Sequence, residues 1–228
     1  MELYSHPLSL FSAKVRIALA EKGLRCDVKN VPFDPARGYE PKHPQVVAHN
    51  PKRQVPVLID GGLVLYDSTV IVEYLEDSTP VPALYPRAPE ARARCRLLEL
   101  EADEVFFAPV GRLIRRRYAR AAGVAEDPNE RGEVAAEMNA AYTRLSQQLG
   151  DSEFLCEQFS VADIAHFLVA SFAAGFGMPI PAEHMSLRGW FARIAARPAV
   201  AGELGAMLGA WQALQGGAEA TAAVSGGP

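Results

Sequence analysis

The sequence predicts an α/β domain over residues 1–79 followed by an all-helical domain over residues 90–215. Three observations predict it. A strand–helix–strand pattern runs from Glu2 to Val31. Two β-rich runs and a helix pattern follow between Val57 and Asp77. Beyond that, every periodic segment repeats at helical spacing. Pro80, Pro82, Pro86 and Pro89 mark residues 80–89 as the linker between the two domains.

Glu2 to Ser5 is a short strand that His6-Pro7 breaks. From about Ser12 to Lys22 a helix is predicted, with Val15, Ala18 and Leu19 on one stripe and Gly23 just past its end. Cys26 to Val31 reads as a second strand, and strand–helix–strand at this spacing predicts a parallel pair. Pro32 to Pro51 is polar and interrupted by five prolines, a long connection for one without a function. Val57–Asp60 and Leu63–Tyr66 flank Gly61-Gly62, a hairpin signal. Ser68 opens a helix that ends near Asp77, with Val70, Ile71, Tyr74 and Leu75 on one face.

In the second domain, Glu90 to Arg120 is one long pattern, with Cys95, Leu98, Ala102, Val105 and Phe106 on a stripe and Pro109 expected to kink it. Asp127-Pro128 reads as an N-cap followed by proline at the first helical position. Val134, Met138, Leu145 and Leu149 continue that helix to Gly150. Ser160-Val161-Ala162-Asp163 is a capping box opening a helix through Ile164, Phe167 and Leu168. Ser186–Ala196 and Ala199–Leu214 are two further helices. From Gly216 the chain is Gly/Ala-rich without a pattern, so a loose tail is expected over 216–228.

Composition narrows the function. Of 228 residues, 49% are hydrophobic, and the net charge of −4 argues against nucleic acid or an anionic membrane as a partner. No apolar run approaches the ~18 residues of a membrane span. The start, MELYSHPLSL, has neither the basic nor the apolar region of a signal peptide. Cys26, Cys95 and Cys156 fit neither a disulfide framework nor zinc spacing. A cytoplasmic protein without a metal is the expectation.

Two short motifs carry chemistry. A cis bond at Val55-Pro56 would set a tight turn and leave the Val55 N–H and C=O ready to pair with an extended peptide. Asp67 beside a helix start at Ser68 could hold both halves of an amino-acid zwitterion, the carboxylate taking an ammonium and the helix end a carboxylate. Each motif alone is commonly structural; a Ser, Asp or Asn before a helix is often a plain cap. A peptide held by its backbone at one place and by its zwitterionic end at another suggests glutathione.

The segment NPKRQVPVLIDGGLVLYDSTVIVEYLED resembles the glutathione-binding half of the glutathione transferase superfamily. That resemblance implies a thioredoxin-like first domain, the glutathione transferase architecture overall, a cis Pro56, and glutathione contacts from Gln54, Val55, Asp67 and Ser68. Arg53 departs from it, because the motif usually has glycine there. SLFSAKVRIALAEKGL looks like the serine-type classes (tau, theta, zeta), which implies a hydroxyl donor for the glutathione sulfur. A donor plus a helix N-terminus favours thiolate. Alignment on VRIAL places Ser9 there; Ser12, a turn later and readable as a cap, is next, then Ser5 and Tyr4. Lys42, His43 and His49 are candidates for the glycyl carboxylate, and His6 is read as a loop residue. Phe106, Phe107 and Tyr118 are candidates for the acceptor pocket, and the arginines at 112, 115, 116, 117 and 120 read as a solvated face or an anionic-substrate surface.

The resemblance further implies a homodimer that joins glutathione to a small hydrophobic electrophile. Related activities are glutathione-dependent isomerisation, dehalogenation and ether cleavage. The segment also resembles the stringent starvation protein A type, which is non-enzymatic and binds RNA polymerase.

Overall fold

The computed structural model describes residues 1–125, 127 and 129–225, with side chains as far as Leu214. Four strands form one mixed sheet in the order β2-β1-β3-β4: β1 (Glu2–Ser5), β2 (Asp27–Asn30), β3 (Val57–Asp60) and β4 (Leu63–Tyr66). β1 and β2 are parallel, as the strand–helix–strand pattern predicts, while β3 runs antiparallel to β1 and β4. Side chains alternate across the sheet. Leu3 and Leu58 therefore join the main core with Val15, Ala18, Ile71 and Leu75, from helices α1 (Leu10–Glu21) and α3 (Ser68–Ser78). Tyr4 and Val57 face the other way, onto Val31, Val55 and Val46 of α2 (Pro44–His49).

Helix α1 starts two residues earlier than its stripe suggests. Ser9 is its N-cap, and the Ser9 Oγ accepts the Ser12 N–H at 3.2 Å. The pattern over Glu90–Arg120 is not one kinked helix but three pieces: α4 (Pro89–Leu100), a π-helical segment (Glu101–Phe106) and α5 (Phe107–Ala121). Pro109 has no N–H to give to Val105. The break falls just before it, where the Phe107 N–H reaches back five residues to the Ala102 carbonyl.

The next helix, α6 (Glu130–Leu149), begins later than Asp127-Pro128 suggests, with Asn129 as N-cap. The Asp127 carboxylate is used one step earlier, accepting the Asn129 N–H at 2.9 Å. Pro128 lies outside the described residues. Helix α7 (Val161–Gly175) has the predicted capping box: Asp163 Oδ2 accepts from the Ser160 N–H at 3.0 Å. Its other oxygen accepts from Leu155 N–H at 2.9 Å and from Trp190 Nε1 at 2.8 Å, tying α7 to α8 (Met185–Ala195). The last helix, α9, spans Pro198–Ser225, so the chain from Gly216 to Ser225 is helical rather than a loose tail. Four alanines between 218 and 223 carry strong helix propensity past the two glycines. Residues 226–228 of that tail lie outside the described residues.

Charged contacts join the two halves. Arg16 on α1 holds both Glu203 carboxylate oxygens through Nε at 3.1 and 3.0 Å. The same guanidinium donates to the His6 and Pro7 carbonyls at 3.1 and 3.2 Å and to Ser5 Oγ, which fixes the loop after β1. Lys22 Nζ binds Glu76 at 2.6 Å and the Thr79 and Pro82 carbonyls at 2.7 and 2.8 Å, anchoring the linker.

His166 on α7 makes the fold pH-sensitive. Its Nδ1 is 3.0 Å from the Ala162 carbonyl, and its burial pulls the imidazole pKa down to about 4. Below pH ~6.5 the unfolded chain takes up a proton that the native ring refuses, so stability falls with pH from there toward ~4. The expected loss between pH 6.5 and 5 is roughly 2 kcal/mol. Urea unfolding at the two pH values checks it, and an equal loss in His166→Gln would assign the effect to other groups.

Candidate functional site

Strand register brings three loops to one end of the sheet. Tyr4 pairs with Val57, and Val57 pairs with Tyr66. The chain leaving β1, the chain entering β3 and the chain leaving β4 therefore lie side by side. Helices α1 and α3 both begin there, each pointing its partial positive charge and unpaired N–H groups at that end.

Ser9 stands at the first of these helix starts, 5% exposed. Its Oγ accepts from Ser12 N–H, and its hydroxyl lies against that of Tyr39. The capping role thus falls on Ser9 and not on Ser12. The Ser12 hydroxyl is fully buried and has no partner among the described residues. Ser5 is also fully buried, its hydroxyl held by Arg16. Tyr4 turns to the α2 side of the sheet, where its hydroxyl reaches Glu2 at 3.4 Å. Of the four hydroxyl candidates, Ser9 is the one at the helix mouth.

At the second loop, Val55-Pro56 is a cis bond, as predicted. Among the described residues, neither main-chain group of Val55 has a hydrogen-bond partner, although its side chain is buried. The exposed Gln54 side chain follows Arg53, whose φ of 53° lies in the left-handed region. Glycine adopts that conformation at no steric cost, which accounts for the glycine usual at this position. The Asn50 amide secures the turn, donating to the Gln54 carbonyl at 2.7 Å.

The third loop ends in Asp67, the N-cap of α3, at φ 77° and ψ 127°. Such a conformation costs a non-glycine residue roughly 1–3 kcal/mol and is characteristic of functional loops. Asp67 Oδ1 accepts from Thr69 N–H at 3.1 Å, and Oδ2 lies 3.6 Å from Lys52 Nζ in an exposed pair. Ser68 is nearly buried beside it.

Beneath α3 lies a charged network that the sequence reading missed. Lys14, with no exposed surface, donates to Thr69 Oγ1 at 3.0 Å, Glu99 Oε1 at 2.9 Å and Asp103 Oδ2 at 2.5 Å. Tyr85 completes it, donating to Glu99 Oε2 at 2.8 Å. Burial pushes the Asp103 pKa up against the pull of Lys14. For Lys14, burial opposes the charge, but Glu99 and Asp103 together outweigh it and hold the amine protonated.

The remaining candidates separate. Lys42 pairs with Glu40 at 3.4 Å. His43 caps α2, its Nδ1 accepting Gln45 N–H at 3.2 Å, and its ring lies 5.0 Å from Tyr4. His49 is half-buried and bonded to Gln45 at 3.1 Å. His6 is more than a loop filler: it stacks on Phe33 at 4.8 Å, and burial, then Arg16, lower its pKa to about 4. Phe106 is not a pocket residue. It sits in the core between Tyr142 at 5.5 Å and His166 at 5.6 Å, four residues on from buried Ala102. Phe107 takes the outward place, its ring 5.0 Å from Phe11. Tyr118, half-buried, lies against Gly38, where an added Cβ would meet its hydroxyl at 3.2 Å. Tyr39, also missed, is a half-buried tyrosine whose hydroxyl lies against Ser9; burial of that hydroxyl raises its pKa.

Comparison with known proteins agrees with this fold. The family model for the glutathione S-transferase N-terminal domain matches residues 8–78, and that for the C-terminal domain matches residues 107–198. Glutathione S-transferase 2 of Saccharomyces cerevisiae is 29% identical over 88% of this chain and 88% of its own length. A stringent starvation protein A homolog of Coxiella burnetii is 43% identical over 47% of this chain; the match spans 48% of that protein, about half its length. A glutathione S-transferase of Methylobacterium radiotolerans, solved in complex with glutathione sulfonate, superposes with a TM-score of 0.72 at 28% identity, covering 89% of this chain and 93% of that one.

Proposed function

The chain belongs to the glutathione S-transferase family, and on that premise we propose that it is a cytoplasmic glutathione transferase acting on a small hydrophobic electrophile. The observation that carries this is the convergence at one sheet end of two helix starts, the unpaired Val55 main chain and the Ser9 hydroxyl at the start of α1. Each group has a task there. Val55 pairs with the peptide backbone as an added strand edge, beside Gln54 and the Pro56 turn. Asp67 takes the γ-glutamyl ammonium. The Ser68 hydroxyl and the open N–H groups of α3 take the carboxylate. Lys42 or His43 meets the glycyl carboxylate. Ser9 donates to the sulfur, and the start of α1 adds positive potential, so thiolate is favoured over thiol. The chain supplies orientation and charge but no covalent nucleophile.

A homodimer accompanies this reading. Val70 on α3 and Leu97 and Leu100 on α4 are 46%, 55% and 50% exposed, on helices already bridged by Arg96 and Glu73 at 2.6 Å. A second copy covering them is the proposal.

Asp67→Ala is expected to weaken glutathione binding more than tenfold, since a charge-assisted contact contributes about 1.5–3 kcal/mol. The exposed Lys52 pair does not compete strongly, because such pairs are worth about 1 kcal/mol at most. Titration calorimetry on the folded variant checks this, and unchanged affinity would remove Asp67 from the site.

The identity with the Coxiella burnetii relative favours a second reading, a non-enzymatic binding protein of the stringent starvation protein A type. Retention on immobilised glutathione together with turnover of an electrophile supports the transferase; failure of both supports the binding protein. Isomerisation, dehalogenation and ether cleavage use the same activated sulfur and are separated by a panel of electrophiles.

A further inference from the structure

On α5, Phe107, Gly111, Arg115 and Tyr118 follow one another at spacings of four, four and three, so they share one face of the helix. That face meets the N-terminal domain at both ends. Phe107 packs on Phe11, two residues beyond Ser9, at 5.0 Å. Tyr118 lies against Gly38, and Tyr39 lies against Ser9. The stripe therefore faces the side of the N-terminal domain that carries Ser9, with aromatic rings at its two ends.

Arg115 stands between those ends. Its Nη1 is 3.4 Å from the place a Cβ on Gly111 would occupy, so the guanidinium lies back along this face of the helix. The other arginines of α5 are engaged. Arg112 is 2.7 Å from Glu137, Arg116 is 2.7 Å from Glu130, Arg117 lies 4.3 Å above the Trp211 ring, and Arg120 also has a partner. Exposed Arg115 has no carboxylate partner among the described residues. A planar fork of donors on an aromatic wall, without a counter-charge of its own, suits a carboxylate carried on a flat apolar body.

We propose that the electrophile is a carboxylate-bearing aromatic or conjugated compound, and that Arg115 selects it. This rests on the transferase reading. A matched pair of aryl chlorides tests it: 4-chloro-3-nitrobenzoate and its methyl ester. With either one, the glutathione sulfur forms a bond to the ring carbon, the carbon–chlorine bond breaks, chloride leaves with the electron pair, and the thiol proton passes to solvent.

Relative to each compound's uncatalysed rate with glutathione, the wild-type kcat/KM is expected to favour the carboxylate at least tenfold. Arg115→Ala should lower it for the carboxylate about ten- to a hundredfold, the range of a charge-assisted contact, and leave the ester within about twofold. Arg115→Lys should restore part of the preference. Calorimetry with the two glutathione conjugates should show the same selectivity in binding alone. Glutathione binding without a carboxylate preference, or equal losses for both compounds in Arg115→Ala, overturns the role of Arg115 and leaves the transferase reading standing. Absence of both glutathione binding and turnover overturns the two together.

Discussion

Ser9→Ala is expected to lower turnover near neutral pH by ten- to a thousandfold and to raise the pKa of the bound thiol, while glutathione affinity changes little. The range follows from a hydrogen bond to a charged sulfur worth about 1.5–3 kcal/mol, with the remaining stabilisation left to the start of α1. The peptide contacts proposed for Val55, Asp67 and Ser68 are untouched, so binding is expected to survive. Because Ser9 also caps α1, the variant should lose about 0.5–2 kcal/mol of stability. Ser9→Asp separates the two roles. A carboxylate caps a helix as well as a hydroxyl does, but it cannot donate and it repels a thiolate. It should keep the stability and lose the turnover. Ultraviolet absorbance of the bound thiolate, titrated with pH, is the measurement. Ser12→Ala should leave the titration unchanged, since that hydroxyl is buried away from the helix mouth. If Ser12→Ala shifts the titration and Ser9→Ala does not, the serines have exchanged roles.

Lys14→Met is expected to destabilise the fold by about 3–5 kcal/mol at pH 7, the cost of leaving buried charge without its partner. Methionine fills much the same space, so the loss is electrostatic rather than a cavity. Glu99 has no exposed side-chain surface and Asp103 only 14%, so solvent cannot take over the cation's place. The pH dependence has a definite sign. Burial already raises the Asp103 pKa above its unfolded value, and removing Lys14 raises it further. Native Asp103 then holds its proton where the unfolded chain has released it, so stability falls as pH rises through that interval. The deficit of Lys14→Met should therefore be largest near neutrality and shrink as pH falls into the carboxylate range. Denaturant unfolding at pH 7 and 5 checks this, and a deficit that does not change with pH would mean that packing, not charge, sets the cost.

What the sequence showed was what is local. The hairpin around Gly61-Gly62, the capping box of α7 and the stop at Gly150 each depend on a few adjacent residues, and each is where it was expected. The Asp67 helix start and the Val55-Pro56 turn were legible for the same reason. Ser9 and Ser12 were harder. Two serines three apart both fit a cap, and only the backbone angles at Ser9 settle which one accepts the N–H. Lys14 lies within an apolar stripe beside Ala13, Ile17 and Ala18, which hints at a buried cation. Its partners Glu99 and Asp103 are 85 and 89 residues away, beyond any periodicity. Tyr39 sits in a proline-broken loop with no pattern at all. Phe106 and Phe107 were exchangeable on the sequence, because a hydrophobic stripe carries no sign of an added residue in the helix ahead of it.

That added residue has a consequence for the face that α5 turns to its neighbour. Each residue of a helix advances about 100° around its axis. The π segment Glu101–Phe106 thus sets the angle at which all of α5 is presented to the N-terminal domain. Because the Phe107 N–H already reaches the Ala102 carbonyl, losing one residue between them would turn that span into an ordinary helical turn and leave Phe107, Gly111 and Arg115 where they stand. Straightening the segment with every residue kept would instead turn α5 by about 100° and carry Phe106, Val110 and Ile114 to those places. The face turned to the N-terminal domain would change from aromatic with one cation to wholly apolar at those three positions, without a single substitution in it. A change of hydrogen-bond pattern within Glu101–Phe106 is therefore enough to exchange the face that α5 presents.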